Sequence, residues 1–155
     1  MLLTSTSAQA IRAMIYLARQ PSGRFCQARK ISECEQIPNP FLWKILRQLR
    51  RHHLVESVRG SRGGYRLGSA PSKIHLIEIV EAIDGDTAVD RCVLHEARCG
   101  REGYCSLHQR LQPILEQFRS ALGNTTLEAI SQPRVIVPTQ RPDRKRNRRH
   151  LSGGM

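Results

Sequence analysis

IPNPFLWKILRQLRRHHLVESVRGSRGGYRL, from Ile37 to Leu67, decides the fold. Asn39 is a residue type that caps helix N-termini, and Pro40 beside it fits the first helical position, where a missing N–H costs nothing. From about Pro40 to His52, Leu42, Ile45, Leu46 and Leu49 recur at helical spacing and form one apolar face. Trp43, Lys44, Arg47, Gln48, Arg50 and Arg51 fall largely off it, so one side packs and the other is cationic. Leu54 to Arg59 then alternates as a strand, Gly60-Ser61-Arg62-Gly63-Gly64 supplies a turn, and Tyr65-Arg66-Leu67 returns, which predicts a β-hairpin.

Upstream, Ser5 or Ser7 is the expected cap of a first helix running to about Arg19, with Ala8, Ile11, Ile15 and Ala18 as its apolar stripe. Pro21-Ser22-Gly23 ends it. A short second helix near Gln27 to Gln36 buries Ile31, and Ile37 follows in the connection. Three short helices followed by a hairpin make a winged helix-turn-helix, in which the third helix enters the major groove and presents its N-terminal residues to base edges. Asn39, Trp43, Lys44 and Arg47 are therefore the candidate readers. Arg59 and Arg62 stand among Gly60, Gly63 and Gly64 on the wing, where a bare backbone approaches phosphate closely and an arginine reaches a narrow minor groove. The glycines fit an ordinary hairpin turn equally well, and Trp43 fits a partly buried packing position.

Downstream, Leu76, Ile79, Val80 and Ile83 predict a fourth helix, closed by Asp84-Gly85-Asp86. From about Ser106 to Leu122, Leu107, Leu111, Ile114, Leu115, Phe118 and Leu122 form a long amphipathic stripe, and Pro113 within it is expected to bend the helix. Such a helix beyond a small domain commonly dimerises. A last short helix is expected over Thr126 to Ser131, capped by Thr125 or Thr126. The proline- and arginine-rich stretch after it is expected to be disordered, its Arg141 to Arg149 run either touching phosphate or lying in solvent. The expected architecture is mainly α with a small β-hairpin. It divides into a winged helix-turn-helix over 1–84, a cysteine-rich loop over 85–105, a dimerisation helix and short C-terminal helix over 106–132, and a basic tail over 133–155.

Charge follows that division. Residues 1–70 hold 12 Lys and Arg against 3 Glu, residues 71–132 hold 6 against 9 Asp and Glu, and residues 133–155 hold 7 against 1. A basic front, a mildly acidic middle and a basic tail suit a nucleic-acid-binding module joined to something that does not bind nucleic acid. No apolar run approaches the roughly 20 residues of a membrane-spanning helix. The Ala8-Gln9-Ala10 that mimics a signal-cleavage site has no Lys or Arg before it, which argues against secretion and for the cytoplasm. Five cysteines without an export signal point to free thiols or metal ligands.

Cys92-x6-Cys99-x5-Cys105-x2-His108 puts three thiols and an imidazole within 17 residues. Thiolates are soft ligands that suit an iron-sulfur cluster or zinc, and His108 is placed to supply a fourth ligand, with His95, Asp90 and Glu96 as rivals. The absence of a paired C-x2-4-C knuckle tilts the balance toward a cluster; of the cluster types, a two-iron one is expected before a four-iron one. Cys26 and Cys34, in or beside the second helix, are expected in the core. No nucleophile-base set or substrate motif accompanies the thiols, so neither an enzyme nor a small-molecule substrate is expected.

Leu3-Thr4, Ile11-Arg12-Ala13, Ile37-Pro38, Leu42 with Ile45-Leu46 and Leu49, Leu54-Val55 and above all Arg59-Gly60-Ser61-Arg62-Gly63-Gly64-Tyr65 resemble the iron-sulfur winged-helix repressor family. The resemblance covers about residues 1 to 130 and extends the wing set to Tyr65. It implies a homodimer on a palindromic double-stranded operator. It also implies an iron-sulfur cluster held by Cys92, Cys99 and Cys105, with His108 as fourth ligand in one branch. The family commonly has glutamate where Trp43 stands, a departure that bears on operator preference. The expected function is a transcription regulator, repression being the default output, that senses iron, nitric oxide or redox state. The competing expectation is a zinc-stabilised DNA-binding protein with no sensing cluster.

Overall fold

The first helix begins where Thr4 caps it. In a computed structural model, which describes residues 3–85 and 106–132, the Thr4 hydroxyl accepts from the Ser7 backbone N–H at 3.1 Å and α1 spans Ser5–Ala18. The cap is therefore Thr4 and not Ser5 or Ser7. Ser7 is instead fully buried, and its hydroxyl donates to Asp84. The buried face of α1 also differs from the expected stripe. Ala10, Ala13, Met14 and Leu17 are inside, while Ala8 is exposed and Ile11, Ile15 and Ala18 are half-buried. Both sets have helical spacing, and packing selects the one in which small Ser7, Ala10 and Ala13 let neighbouring helices approach and Met14 and Leu17 fill the space between.

α2 spans Ala28–Glu35 and ends in a left-handed Gln36, whose turn sets Ile37 into the core. Ile37 is held by Ser32, whose hydroxyl donates to the Ile37 carbonyl at 2.6 Å. α3 spans Asn39–Arg51. Pro38, not Asn39, occupies its cap position: the Pro38 carbonyl accepts from the N–H groups of Phe41 and Leu42, both at 3.0 Å, and no side chain caps the helix. Asn39 is thus the first helical residue. Leu42, Ile45, Leu46 and Leu49 are all buried, as the spacing predicts.

Strands β1 (Val55–Val58) and β2 (Gly64–Leu67) pair antiparallel, with Glu56 opposite Arg66 and Val58 opposite Gly64. A single 3-10 turn at Pro71–Lys73, not foreseen from the sequence, leads to α4 (Leu76–Asp84). α4 packs on α1, α3 and α5, which places its Leu76, Ile79, Val80 and Ala82 at the centre of the molecule. α5 spans Ser106–Asn124, continuing through Pro113, and α6 spans Leu127–Ser131 with Thr126 as cap, its hydroxyl accepting from the Ala129 N–H at 3.3 Å. Only the later part of the α5 stripe is covered. Leu115 and Leu122 are buried, Leu111 and Phe118 are half-buried, and Leu107 and Ile114 stand out at 39% and 54% exposure.

Cys26 is buried, but on an extended segment bridged to Tyr65 and not on a helix. Cys34 is exposed, contrary to its expected core position. α2 has few apolar residues, and its one inward face is taken by Ile31 and Ser32. The expectations for the cysteine loop and the basic tail fall on 86–105 and 133–155, outside the described residues.

Candidate nucleic-acid interface

The outward side of α3 follows from its inward side. With Leu42, Ile45, Leu46 and Leu49 buried, a rotation of about 100° per residue turns Pro40, Lys44, Arg47 and Arg51 furthest into solvent. Trp43 and Phe41 flank that stripe on opposite sides. All six are exposed, Trp43 at 61%, more open than a partly buried packing position. The Lys44 ammonium lies 5.9 Å from the Phe41 ring centroid, within reach of a cation–π attraction. Arg51 and Phe41 were not among the readers expected from sequence. Their signal was present in the same wheel, one on the cationic side and one three residues before Lys44 on neither face of the apolar stripe.

The wing is fastened to α3 on one side and to the start of α2 on the other. Arg50 donates to the Ser57 hydroxyl at 3.0 Å, joining the end of α3 to β1. Gln27, at the start of α2, donates through its amide to the Ser61 carbonyl at 3.2 Å and so fixes the wing tip. Arg66 pairs with Glu56 at 2.7 Å across the strands, with its guanidinium 4.6 Å over the Phe25 ring. Arg66 is thereby committed to the hairpin itself.

The glycines divide by what surrounds them. Gly63 is buried, and its N–H donates to the Gly60 carbonyl at 3.0 Å to close the turn. A side chain there would strike the Val58 carbonyl. At Gly64 (φ +146°) a Cβ would strike the Cys26 carbonyl, because the Cys26 and Tyr65 backbones exchange two hydrogen bonds of 2.8 Å. Gly60 (φ +114°) has open space beside it. Tyr65 is half-buried against the core. Gly63, Gly64 and Tyr65 therefore shape the wing, and Arg59, Gly60 and Arg62 are its exposed part.

Charge on this side is left unpaired among the described residues. Among the described residues the ion pairs are Arg12–Glu35, Arg29–Glu33, Arg66–Glu56 and Arg119–Glu81, none of which involves Lys44, Arg47, Arg51, Arg59 or Arg62. Asn39, Trp43, Lys44 and Arg47 thus share one exposed helix with the wing arginines beside it. Behind the wing, burial pushes the Cys26 thiol up, with Arg24 and Lys30 opposing the shift. The buried Cys26 thiol under the hairpin is a packing group. Tyr16 is raised as well, by burial first and then by Cys34 and Cys26.

Of the expected ligand set, Cys92, Cys99 and Cys105 lie outside the described residues. His108 belongs to the first turn of α5, its side chain outside the description. The last residue of α4, Asp84, which leads into 86–105, accepts from both Thr4 and Ser7. Among the described residues, no helix is long and apolar enough to cross a membrane.

The family described as Rrf2, iron-dependent transcriptional regulator, matches residues 3–133. A protein of Aquifex aeolicus named as an HTH-type transcriptional regulator is 28% identical over 130 residues, covering 83% of this chain and 90% of that protein. A protein of Synechocystis with the same kind of name is 40% identical over 84 residues, 54% of this chain and 57% of its own length. Among solved structures, the fold is similar to CymR, the global cysteine regulator of B. subtilis, with a TM-score of 0.71 and 24% identity over 84% of this chain and 96% of that one. It is similar also to T. potens IscR, with a TM-score of 0.68 and 21% identity over 83% and 85%. At these identities the two structures speak for the winged-helix fold alone.

Proposed function

This chain belongs to the Rrf2 family of transcriptional regulators, and on that premise we propose that it acts as a repressor whose α3 enters the major groove of an operator while its wing grips the adjacent backbone or minor groove. The observation that carries this is the uncompensated cationic face of α3. A surface of Lys44, Arg47 and Arg51 with no carboxylate paired to it among the described residues suits phosphate and base edges. Asn39 and Trp43 at the N-terminal turns and Arg59, Gly60 and Arg62 on the wing complete the contact set; Gly63, Gly64 and Tyr65 hold the wing in shape. Binding of a random-sequence duplex pool by the full chain, with sequencing of the retained fraction, tests this. Enrichment of a palindromic motif supports it, and recovery of an unenriched pool contradicts it.

The operating unit is a homodimer in the cytoplasm. Leu107 and Ile114 leave apolar surface in water along the first half of α5, and pairing with the same face of a second copy would cover it.

The sensor is a two-iron iron-sulfur cluster held by Cys92, Cys99 and Cys105 with His108 as fourth ligand. Three soft thiols and one imidazole within 17 residues fit such a group chemically, and the family's description as iron-dependent agrees with it. When bound, the cluster supplies a centre that responds to iron supply, nitric oxide or redox state. What the chain's own residues contribute is a mechanical link. The segment bearing the thiols starts next to Asp84, whose carboxylate is bonded to Thr4 and Ser7 at the start of α1. A ligand-dependent change of operator affinity of about 5- to 150-fold is the ordinary scale of such coupling. The same thiols suit structural zinc, which would leave the DNA-binding role intact without sensing. An anaerobic visible absorption spectrum with iron, sulfide and zinc assays on the same sample separates the two: charge-transfer bands with matched iron and sulfide support the cluster, and a colourless protein with about one zinc contradicts it.

A further inference from the structure

Aromatic residues make up only 5% of this chain, yet its single Trp and one of its three Phe stand in solvent two residues apart. Phe41 is 58% and Trp43 61% exposed, and neither packs against the core. Both lie on the first two turns of α3, the part of a recognition helix that faces base edges. They sit on opposite flanks of the stripe formed by Lys44, Arg47 and Arg51, about 160° apart at 100° per residue. At that separation they cannot share one contact. The Lys44 ammonium, 5.9 Å from the Phe41 ring, joins that ring to the cationic stripe.

An aromatic ring set against a base edge leaves any donor or acceptor there without a partner, which costs free energy. The apolar group that the major groove displays is the C5-methyl of thymine. Cations between the two rings favour a polyanion as the occupant of this face over an uncharged apolar protein surface. We propose that Phe41 and Trp43 each read a thymine methyl, at two separate positions of the half-site, flanking the base pairs met by Lys44 and Arg47. This rests on α3 lying in the major groove. It adds Phe41 to the specificity residues and gives Trp43 a particular base feature to read.

Replacing thymine by deoxyuridine deletes only the methyl and leaves every hydrogen-bonding group in place. In duplexes selected from a random pool by the full chain, each thymine is replaced singly and binding is measured. A buried methyl-sized group is worth about fourfold in affinity, so two positions per half-site are expected to weaken by about that factor. One of these sensitivities should vanish in Phe41→Ala and the other in Trp43→Ala. Both variants trim exposed side chains, so their melting curves should match that of the parent. Tolerance of deoxyuridine at every position, or sensitivity that persists in both variants, overturns the assignment while leaving DNA binding by α3 intact. Failure of any duplex to be enriched overturns both and points to an acidic protein partner for this face.

Discussion

The Thr4 hydroxyl donates to both carboxylate oxygens of Asp84, each at 2.9 Å, while it accepts from the Ser7 N–H. The residue that starts α1 is thus bonded to the residue that ends α4, 80 positions away, with a carboxylate near the positive end of the α1 dipole. Thr4→Ala removes the cap and the link together. The expected cost is about 1–2 kcal/mol, a fall of several degrees in Tm for a domain of this size, readable by thermal denaturation. A melting point equal to the parent's would show that neither bond contributes.

Gly60 and Gly64 are both left-handed in the wing, but only Gly64 has backbone pressed against it. Gly64→Ala must part the Cys26–Tyr65 pairing as well as strain its own backbone, and is expected to cost at least about 1–3 kcal/mol more than Gly60→Ala. Gly60→Ala carries the conformational penalty alone, about 1–2 kcal/mol. Urea denaturation of the two variants gives the order directly, and the reverse order would contradict the close approach at Cys26.

Burial holds the Cys26 proton to higher pH than in the unfolded chain, where the thiol titrates near its ordinary value of 9.0. The unfolded chain therefore loses that proton first, and stability that is complete below that value drains away as pH rises toward the folded value. The parent's Tm should fall above about pH 9, and Cys26→Ala, whatever its own baseline, should fall less over the same interval. Parallel pH profiles would show that Cys26 is not the group responsible.

Arg59 and Arg66 both belong to the wing but have different expected roles. Arg59→Gln removes an exposed cation and is expected to lower the slope of log affinity against log salt by about 0.9 if Arg59 meets one phosphate. It should instead alter sequence preference if Arg59 lies in the minor groove. Arg66→Gln breaks the Glu56 pair and the Phe25 stack, so its effect should fall on the stability of the hairpin. Binding titrations at several salt concentrations distinguish them, and an unchanged slope and preference for Arg59→Gln would remove both of its roles.

What was legible in the sequence was what local signals specify. Leu42, Ile45, Leu46 and Leu49 allow one helical face and no other, and the glycine turn between two alternating stretches allows one hairpin. α1 was harder, because Ala8, Ile11, Ile15 and Ala18 have the same period as Ala10, Ala13, Met14 and Leu17; only the neighbouring helices choose between them. The cap of α3 went to Pro38 because its carbonyl, a backbone group with no residue signature, takes the first helical bonds. Cys34, flanked by Glu33 and Glu35, was misplaced because the apolar character of a thiol says little about the side of a short polar helix on which it lies. The fastening of the wing by Gln27 and Arg50 joins residues 34 and 7 positions apart, contacts that no periodicity encodes.

The most direct test of the central claim is the salt dependence of binding to a selected duplex by the parent chain and by Lys44→Gln/Arg47→Gln. Both side chains are exposed and lie off the buried face, so the double variant should fold as the parent does. The expected result is a large loss of affinity and of preference for the selected sequence, with any phosphate contact among the two lowering the slope by about 0.9 each. Equal affinity, slope and preference in the two proteins would show that the cationic face of α3 is not the surface that meets DNA.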